Sequence, residues 1–449
     1  MPEGSTLTPG EREPARPQFS EAARVWLRIG LLSFGGPASQ IALMHREVVE
    51  ARRWVSDRRF LQALNFCMLL PGPEAQQLAT YLGWLLHGVK GGLAAGLLFI
   101  LPGALVMFAL SVAYVTLGSA PLVAALFFGL KCAVLALVLE ALLRVARKAL
   151  ASLLPWGVAV AAFAALFVFA VPFPLVVLAA LGIGFALPGA FAASKARSGH
   201  DADAVVDRAL AADPAHSADR AASAWRAGLV ALVLWLWPVA LLSDAGLWGE
   251  LAWFFSHMAV VTFGGAYAVL AYVAQEAVGN YAWLSAADML AGLGLAETTP
   301  GPLILVLQFV GTLAGIREGG WLGGVAGALL VLWVTFVPCF AWIFLGAPFV
   351  ERAQGVARLQ GALAAVTAAV VGVIANLALW FALRVLFTEH APSGIGTLVL
   401  PVPSSLDPAA LALAAFAAGL LFLARLGLAR TLALTATGGL LLHLAGLVP

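Results

Sequence analysis

The chain has 449 residues, of which 62% are hydrophobic and 11% charged, with a formal net charge of +2. Soluble domains are about a quarter charged, so this composition describes an integral membrane protein and excludes a soluble globular domain. The near-neutral charge leaves no footprint for nucleic acid, and three cysteines inside apolar segments, Cys67, Cys132 and Cys339, do not make a disulfide framework.

Residues 1–18 are polar and Pro-rich, without the apolar core of a signal peptide, and read as a disordered cytoplasmic tail. Thirteen apolar stretches follow, at 19–44, 60–88, 91–116, 120–143, 150–170, 172–193, 227–243, 250–275, 286–314, 320–349, 355–387, 406–424 and 427–447. A polar linker, 194–226, rich in Asp, Ala, Ser and Arg, separates the sixth from the seventh and reads as mobile or weakly helical. The domain plan is a first repeat at 19–193, the linker, a connecting transmembrane helix at 227–249 and a second repeat at 250–449.

Two helix breakers stand inside apolar stretches of the first repeat, Phe34-Gly35-Gly36-Pro37 and Pro71-Gly72-Pro73. Proline removes a backbone donor and clashes with the preceding turn, and Pro73 suits the first turn of a new helix. Both breakers return at an offset of 229, as Phe263-Gly264-Gly265 and Pro300-Gly301-Pro302. From Phe34 to Pro73, 13 of 40 positions are identical to their mates at that offset. Farther on the offset becomes 236, pairing Pro102 with Pro338 and Lys131 with Thr367, and the seven extra residues are assigned to a loop around Ile316 to Gly320.

The basic residues set the expected topology. Arg46, Arg52, Arg53, Arg58 and Arg59 follow the first stretch, and Arg12, Arg16 and Arg24 precede it. Both groups fall inside, as the positive-inside tendency asks, if 19–44 enters and returns at its break and 60–88 does the same. The linker then lies in the cytoplasm and residues 388–407 outside. Five spans, the third to the seventh, separate the repeats, and an odd number inverts the second relative to the first.

Inverted repeats with broken helices near mid-membrane are the plan of secondary transporters. Each break turns a helix N-terminus inward, and its partial positive charge and N–H groups suit an anion. The expected fold is therefore an all-α polytopic membrane protein of two inverted-topology repeats, each with two re-entrant helix hairpins plus spanning helices.

The segments Arg28-Ile29-Gly30-Leu31-Leu32-Ser33-Phe34-Gly35-Gly36-Pro37 and Leu70-Pro71-Gly72-Pro73-Glu74-Ala75-Gln76-Gln77 resemble the chromate ion transporter family. Leu101-Pro102-Gly103 and, in the second half, Phe263-Gly264-Gly265 and Thr298-Thr299-Pro300-Gly301-Pro302 extend the resemblance over both halves. It implies a long-chain, two-domain member that exports chromate across the inner membrane and confers resistance, with sulfate, a similar tetrahedral dianion, as the natural competitor. In the ungapped register Leu303 stands opposite Glu74 and Ala266 opposite Pro37, so the halves are not equal contributors.

The candidate substrate-binding residues are Gly35, Gly36, Pro37, Ser39, Gln40, Pro71, Gly72, Pro73, Glu74, Gln77, Lys131, Gly264, Gly265, Thr299, Gly301 and Thr367. Lys131 lies ten residues from Pro121, about 15 Å along a helix, and is expected near mid-membrane as the fixed positive charge. Glu74 is either a helix-dipole partner or, beside a bound anion, the carrier of a coupled proton. Gln76, Gln77, Thr80 and Tyr81 can donate to an oxyanion. Ser39, Thr298 and Thr299 can equally cap broken backbone. Glu140 and Arg144 are set for a helical ion pair. Arg28 is interfacial or an alternative partner for the anion, and His45 and His87 are expected at isolated surface positions.

Gly83 to Gly88 leads into Val89-Lys90 and is no phosphate loop. No cofactor is implied, and the rival class is a membrane-embedded enzyme. A sulfate or other oxyanion importer or exchanger is the alternative transport reading. Protons are the candidate coupling ion, and the oligomeric state, monomer or homodimer, stays open.

Overall fold

The computed structural model describes residues 17–34, 36–118, 120–191, 204–206, 215–263, 266–347, 357–392 and 399–448. The tail before Pro17 and much of the polar linker lie outside the described residues, as do Gly35, Gly264 and Gly265. Among the described residues the protein is all-α apart from one short ribbon, and five helical segments are long and apolar enough to cross a membrane. Their outer faces are apolar: Leu97, Leu101 and Leu105 are each more than half exposed. In lipid this is the expected arrangement, because every backbone polar group is satisfied within its own helix.

In the first half, α1 (Phe19–Leu32) and α2 (Gly36–His45) flank the first breaker, and α3 (Asp57–Cys67) and α4 (Glu74–Leu117) flank the second. A long α5 (Pro121–Ala149), then α6 (Leu153–Phe167) and α7 (Phe173–Ala186) complete it. Helix α8 (Ala215–Leu241) connects the halves. It begins inside the polar linker, so the seventh stretch is helical well before its apolar part.

The second half repeats the plan with α9 (Leu247–Val261), α10 (Ala266–Gln275), α11 (Ala286–Thr298), α12 (Val306–Gly346) and α13 (Ala357–Leu386). It ends with α14 (Pro408–Ala418) and α15 (Leu428–Leu444). The loop expected at 388–407 carries an antiparallel ribbon of β1 (His390–Pro392) and β2 (Val399–Pro401), with His390 opposite Pro401.

The repeat is visible atom by atom. π turns at Arg46–Glu50 and Glu276–Asn280 close α2 and α10. Arg53 and Ala282 then share a φ of 51°, and the side chains of Ser56 and Ser285 cap α3 and α11. Arg52 lays its guanidinium 5.6 Å from the Trp54 ring, and its mate Tyr281 stacks on Trp283 at 4.3 Å. Different chemistry thus covers the same tryptophan in each half.

Both α4 and α12 are hairpins folded at a sharp kink. His87 and Gly88 have φ/ψ of −133/24° and 63/−153°, and Gly319 and Gly320 have −134/23° and 62/−152°. These kinks are 232 residues apart, which corrects the placement of the seven-residue insertion. Three residues enter between break and kink (232 − 229) and four between kink and inner proline (236 − 232). The first three are a 3₁₀ turn, Leu303–Leu305, ahead of α12. Three residues of 3₁₀ helix make one full turn, so the following residues keep their face. The insertion is a turn in each arm rather than a loop.

Several expected spans are short, those at the end of each half among them. Helices α6 and α7 have 15 and 14 residues, against the about 20 needed to cross a bilayer. They pack on the opposite half: a Cβ on Gly372 of α13 would sit 2.1 Å from the Ala159 carbonyl oxygen of α6. Reciprocally, a Cβ on Gly129 of α5 would sit 2.3 Å from the Thr435 carbonyl oxygen of α15. Each half therefore clasps the other with its last helices through glycine contacts that admit no side chain.

At the α4 kink the two arms meet at Gly83 and Gly91, where a Cβ on Gly83 would lie 2.4 Å from the Gly91 carbonyl oxygen. Gly83→Val should cost about 1–3 kcal/mol by overpacking and reduce the amount of folded protein in membranes. Gly157→Val, at an exposed position with nothing within 4 Å, should leave that amount unchanged on an immunoblot of the membrane fraction.

Candidate functional site at the crossed helix breaks

Helix α1 stops at Ser33, because Gly36 takes a φ of 81° and Pro37 opens α2. Helix α3 stops at Cys67, and Gly72, at φ 120°, turns the chain into α4. Gly301, at φ 88°, does the same between α11 and α12. These values lie in the left-handed region that glycine alone adopts freely.

The breaks are joined across the halves. Gly72 donates its backbone N–H to the Thr262 carbonyl at 2.8 Å, and Gly301 donates to the Ser33 carbonyl at 2.8 Å. Thr262 is the 229-mate of Ser33, and Gly301 that of Gly72, so one bond occurs twice, related by the internal repeat. The Ser33 and Thr262 hydroxyls both turn back to the carbonyl four residues earlier. The inner parts of α4 and α12 press on the opposite breaks as well. A Cβ on Gly103 would meet the Pro300 carbonyl oxygen at 2.1 Å, and one on Gly72 would meet Cys339 Sγ at 2.8 Å.

Around this crossing lies a cavity of about 10 Å³, lined by Pro37, Gln40, Pro73, Glu74, Ala75, Pro302, Leu303 and Ile304. That is about the room of one water. Three helix N-termini, those of α2, α4 and the 3₁₀ turn before α12, form its wall. Gln40 is 1% exposed and donates Nε2 to the Gly301 carbonyl at 2.6 Å, while its Oε1 has no partner among the described residues. Gln77, just behind the wall, donates Nε2 to the Pro71 carbonyl at 2.7 Å.

Of the candidate residues, the structure brings Pro37, Gln40, Pro73 and Glu74 onto one cavity, with Gly36, Pro71, Gly72, Gln77 and Gly301 in the surrounding breaks. Gly35, Gly264 and Gly265 lie outside the described residues. Ser39 is exposed. The Thr298 and Thr299 hydroxyls each donate to the Leu295 carbonyl at 2.8 Å, the capping alternative. Thr367 donates to the Leu363 carbonyl at 2.9 Å.

Lys131 is partly buried on α5 and does not line the cavity. The carboxylate whose charge reaches it is Asp288 of α11. Asp288 also receives the Tyr114 hydroxyl at 2.7 Å and Arg317 at 3.1 Å. Glu140 and Arg144 form the expected ion pair. Arg28 lies 3.9 Å from Glu47, which also binds Arg52. The histidines are not isolated: His45 holds Glu50 at 3.1 Å and Asp57 at 2.7 Å, and His87 meets the Pro17 carbonyl at 2.8 Å.

Sequence reading missed a second matched set. In the 232 register Gln76 and Thr80 of α4 pair with Gln308 and Thr312 of α12, and all four are buried. The 3₁₀ turn hides this pairing from the ungapped register, and it sets Val306, not Leu303, in the place of Glu74. Glu297, a buried carboxylate on the last turn of α11, was also passed over.

Residues 20–185 and 249–443 match the model of the chromate transporter family. The chain belongs to the chromate transporter family. It is 33% identical over 388 residues to a chromate transport protein of Pseudomonas aeruginosa, covering 83% of each chain. It is 28% identical over 367 residues to a chromate transport protein of Cupriavidus metallidurans, covering 80% of this chain and 81% of that one. An uncharacterized transporter of Bacillus subtilis is 37% identical over 106 residues, which span 24% of this chain and 54% of its own. No solved structure matches.

In this family member, valine at Gly36 should suffer mainly the left-handed strain of about 1–2 kcal/mol, since a Cβ there meets nothing within 4 Å. Valine at Gly72 adds the clash with Cys339 and Gln77. Gly72→Val should therefore lose transport at least about tenfold and Gly36→Val less. Cells carrying each variant at equal membrane level, scored for growth on chromate, would reveal the order.

Proposed function

We propose that the protein is a secondary transporter that exports chromate across the inner membrane, with the anion held at the cavity between the crossed breaks. The observation that carries this is the convergence of three helix N-termini from two matched halves on one cavity, in a chain of the chromate transporter family. Helix N-termini supply N–H groups and partial positive charge to an anion. The cavity in this conformation is smaller than the cargo, so binding requires the halves to part.

Inverted topology suits the same observations. The contact between Arg28 of α1 and Glu47 beyond α2 favours a chain that turns back at the first break. Val205 and Val206 of the linker donate to the carbonyls of Arg53 and Trp54, which supports one shared, cytoplasmic side for both segments. Short α6 and α7 do not disturb the parity: joined by a tight turn, they add an even number of crossings whether both span or both dip. Alternating access would then rock one half against the other about the crossed breaks.

The direct test is flux. Inverted membrane vesicles should accumulate chromate, and imposing or collapsing a proton gradient should change the uptake if Glu74 carries the coupled proton. Uptake by right-side-out vesicles alone would favour the importer reading. Single cysteines at Ser56 and Ala204 should resist an impermeant thiol reagent in whole cells, while one at Ser404 should react.

Lys131 stands apart from the cavity, so Lys131→Met should lower the membrane level of the protein more than its apparent chromate affinity. Normal insertion with lost affinity would instead restore Lys131 as the anion's partner.

A further inference from the structure

We propose that the cavity takes the oxyanion with one proton, as a hydrogen oxyanion shared with Glu74, and that Gln40 and Glu74 together select chromate over fully ionised dianions. This rests on the cavity being the substrate site.

The argument is one of donors and acceptors. No Lys, Arg or His is among the described lining residues, and Glu74 is the single ionisable side chain there. Gln40 cannot turn its amide to donate into the cavity. Its nitrogen faces the Gly301 carbonyl at 2.6 Å, and a carbonyl only accepts, so the unpartnered atom must be the oxygen. The lining residues therefore carry two acceptors, Gln40 Oε1 and the Glu74 carboxylate, beside the N–H groups of the helix starts.

A bare dianion beside an ionised Glu74 would put three negative charges in a small space whose only compensation is helix dipole, about half a charge per terminus. One proton removes a charge and bridges two acceptors that otherwise repel the cargo. It can sit on the substrate, donating to Gln40 Oε1 or Glu74, or on Glu74, donating to the substrate. The composition is the same, and no other reactant is needed.

The groups around Glu74 do not supply the missing charge. From α2 it shares the cavity with Pro37 and Gln40, and from the second half with Pro302, Leu303 and Ile304. The Cys67 thiol of α3 lies within its field. The cation whose field reaches it is Lys148, on the exposed last turn of α5 and outside the cavity wall. Lys131 is not among the lining residues.

Selectivity follows. Chromate binds a proton near neutrality, whereas sulfate and selenate are conjugate bases of strong acids and arrive bare. A bare dianion leaves both acceptors opposed, a penalty that amounts to about ten- to a hundredfold in affinity. Size is separated from protonation by selenate, a tetrahedral dianion larger than sulfate and nearer chromate.

The test uses inverted vesicles holding the full chain, with equal pH on both sides. In the wild type, the apparent affinity for total chromate should fall as pH rises through neutrality, and selenate should compete about tenfold or more weakly than unlabelled chromate. Glu74→Gln, which can donate as well as accept, should flatten the pH profile and let selenate compete nearly as well as chromate. Gln40→Leu should weaken chromate selectively. A flat wild-type profile with selenate competing as well as chromate overturns the inference, whatever the variants do. If the variants change chromate affinity but leave the pH profile and selenate ratio as in the wild type, the cavity stands and the shared proton is wrong. If wild-type vesicles transport chromate and neither variant alters affinity, the cavity is not the site, and this inference falls with that reading.

Discussion

Two backbone hydrogen bonds, Gly72 to Thr262 and Gly301 to Ser33, hold the rest of this structure in place. A broken helix in lipid leaves polar groups that no water reaches, and each unsatisfied group is costly. Here each half satisfies the break of the other. The glycine donates, and the carbonyl freed at the end of the partner's first helix accepts. Neither half could close its own break this way, so the fold of one depends on the presence of the other. The last helices repeat the logic at larger scale, since α6 and α7 lie on α13 while α14 and α15 lie on α5.

The crossing also fixes what the cavity can be. Its N–H groups come with their helices, but Gly72 and Gly301 have spent theirs on the partner half. What the lining residues bring is the start of three helices, one carboxylate and one amide oxygen. This is a sparser and more acidic setting than the positive charge expected from Lys131. An ionisable residue on an apolar helix need not serve the substrate: Lys131 does not line the cavity, and Asp288 binds Tyr114 and Arg317 in a polar cluster of α4, α11 and α12.

The breaks were legible in the sequence because proline and glycine act locally: Pro71-Gly72-Pro73 cannot continue a helix in any surroundings. The repeat was legible because both breakers recur at one offset, and the Glu140–Arg144 pair because its partners lie on one helix face. The rest depends on pairings far apart in the chain. Nothing near Gln40 announces that it reaches Gly301, 261 residues on. The Gln76–Gln308 match was hidden by a 3₁₀ turn of apolar residues with no composition of its own. His45 looked isolated because its partners, Glu50 and Asp57, come together only when a π turn folds the chain back. The place of Lys131 along α5 was readable from the sequence, but its absence from the cavity lining was not, because that depends on how distant helices pack.

The unequal hairpins have a consequence of their own. Each arm of the α12 hairpin is about one turn longer than its α4 counterpart, or about 5 Å along the axis. If the halves rock as proposed, identical halves would make the inward- and outward-facing forms of the empty protein equivalent by a two-fold rotation, equal in free energy and equally populated. Unequal levers remove that degeneracy. Under that proposal one face of the membrane would hold the resting form, and the return of the empty carrier would run downhill in one sense and uphill in the other, before any ion or cargo is bound.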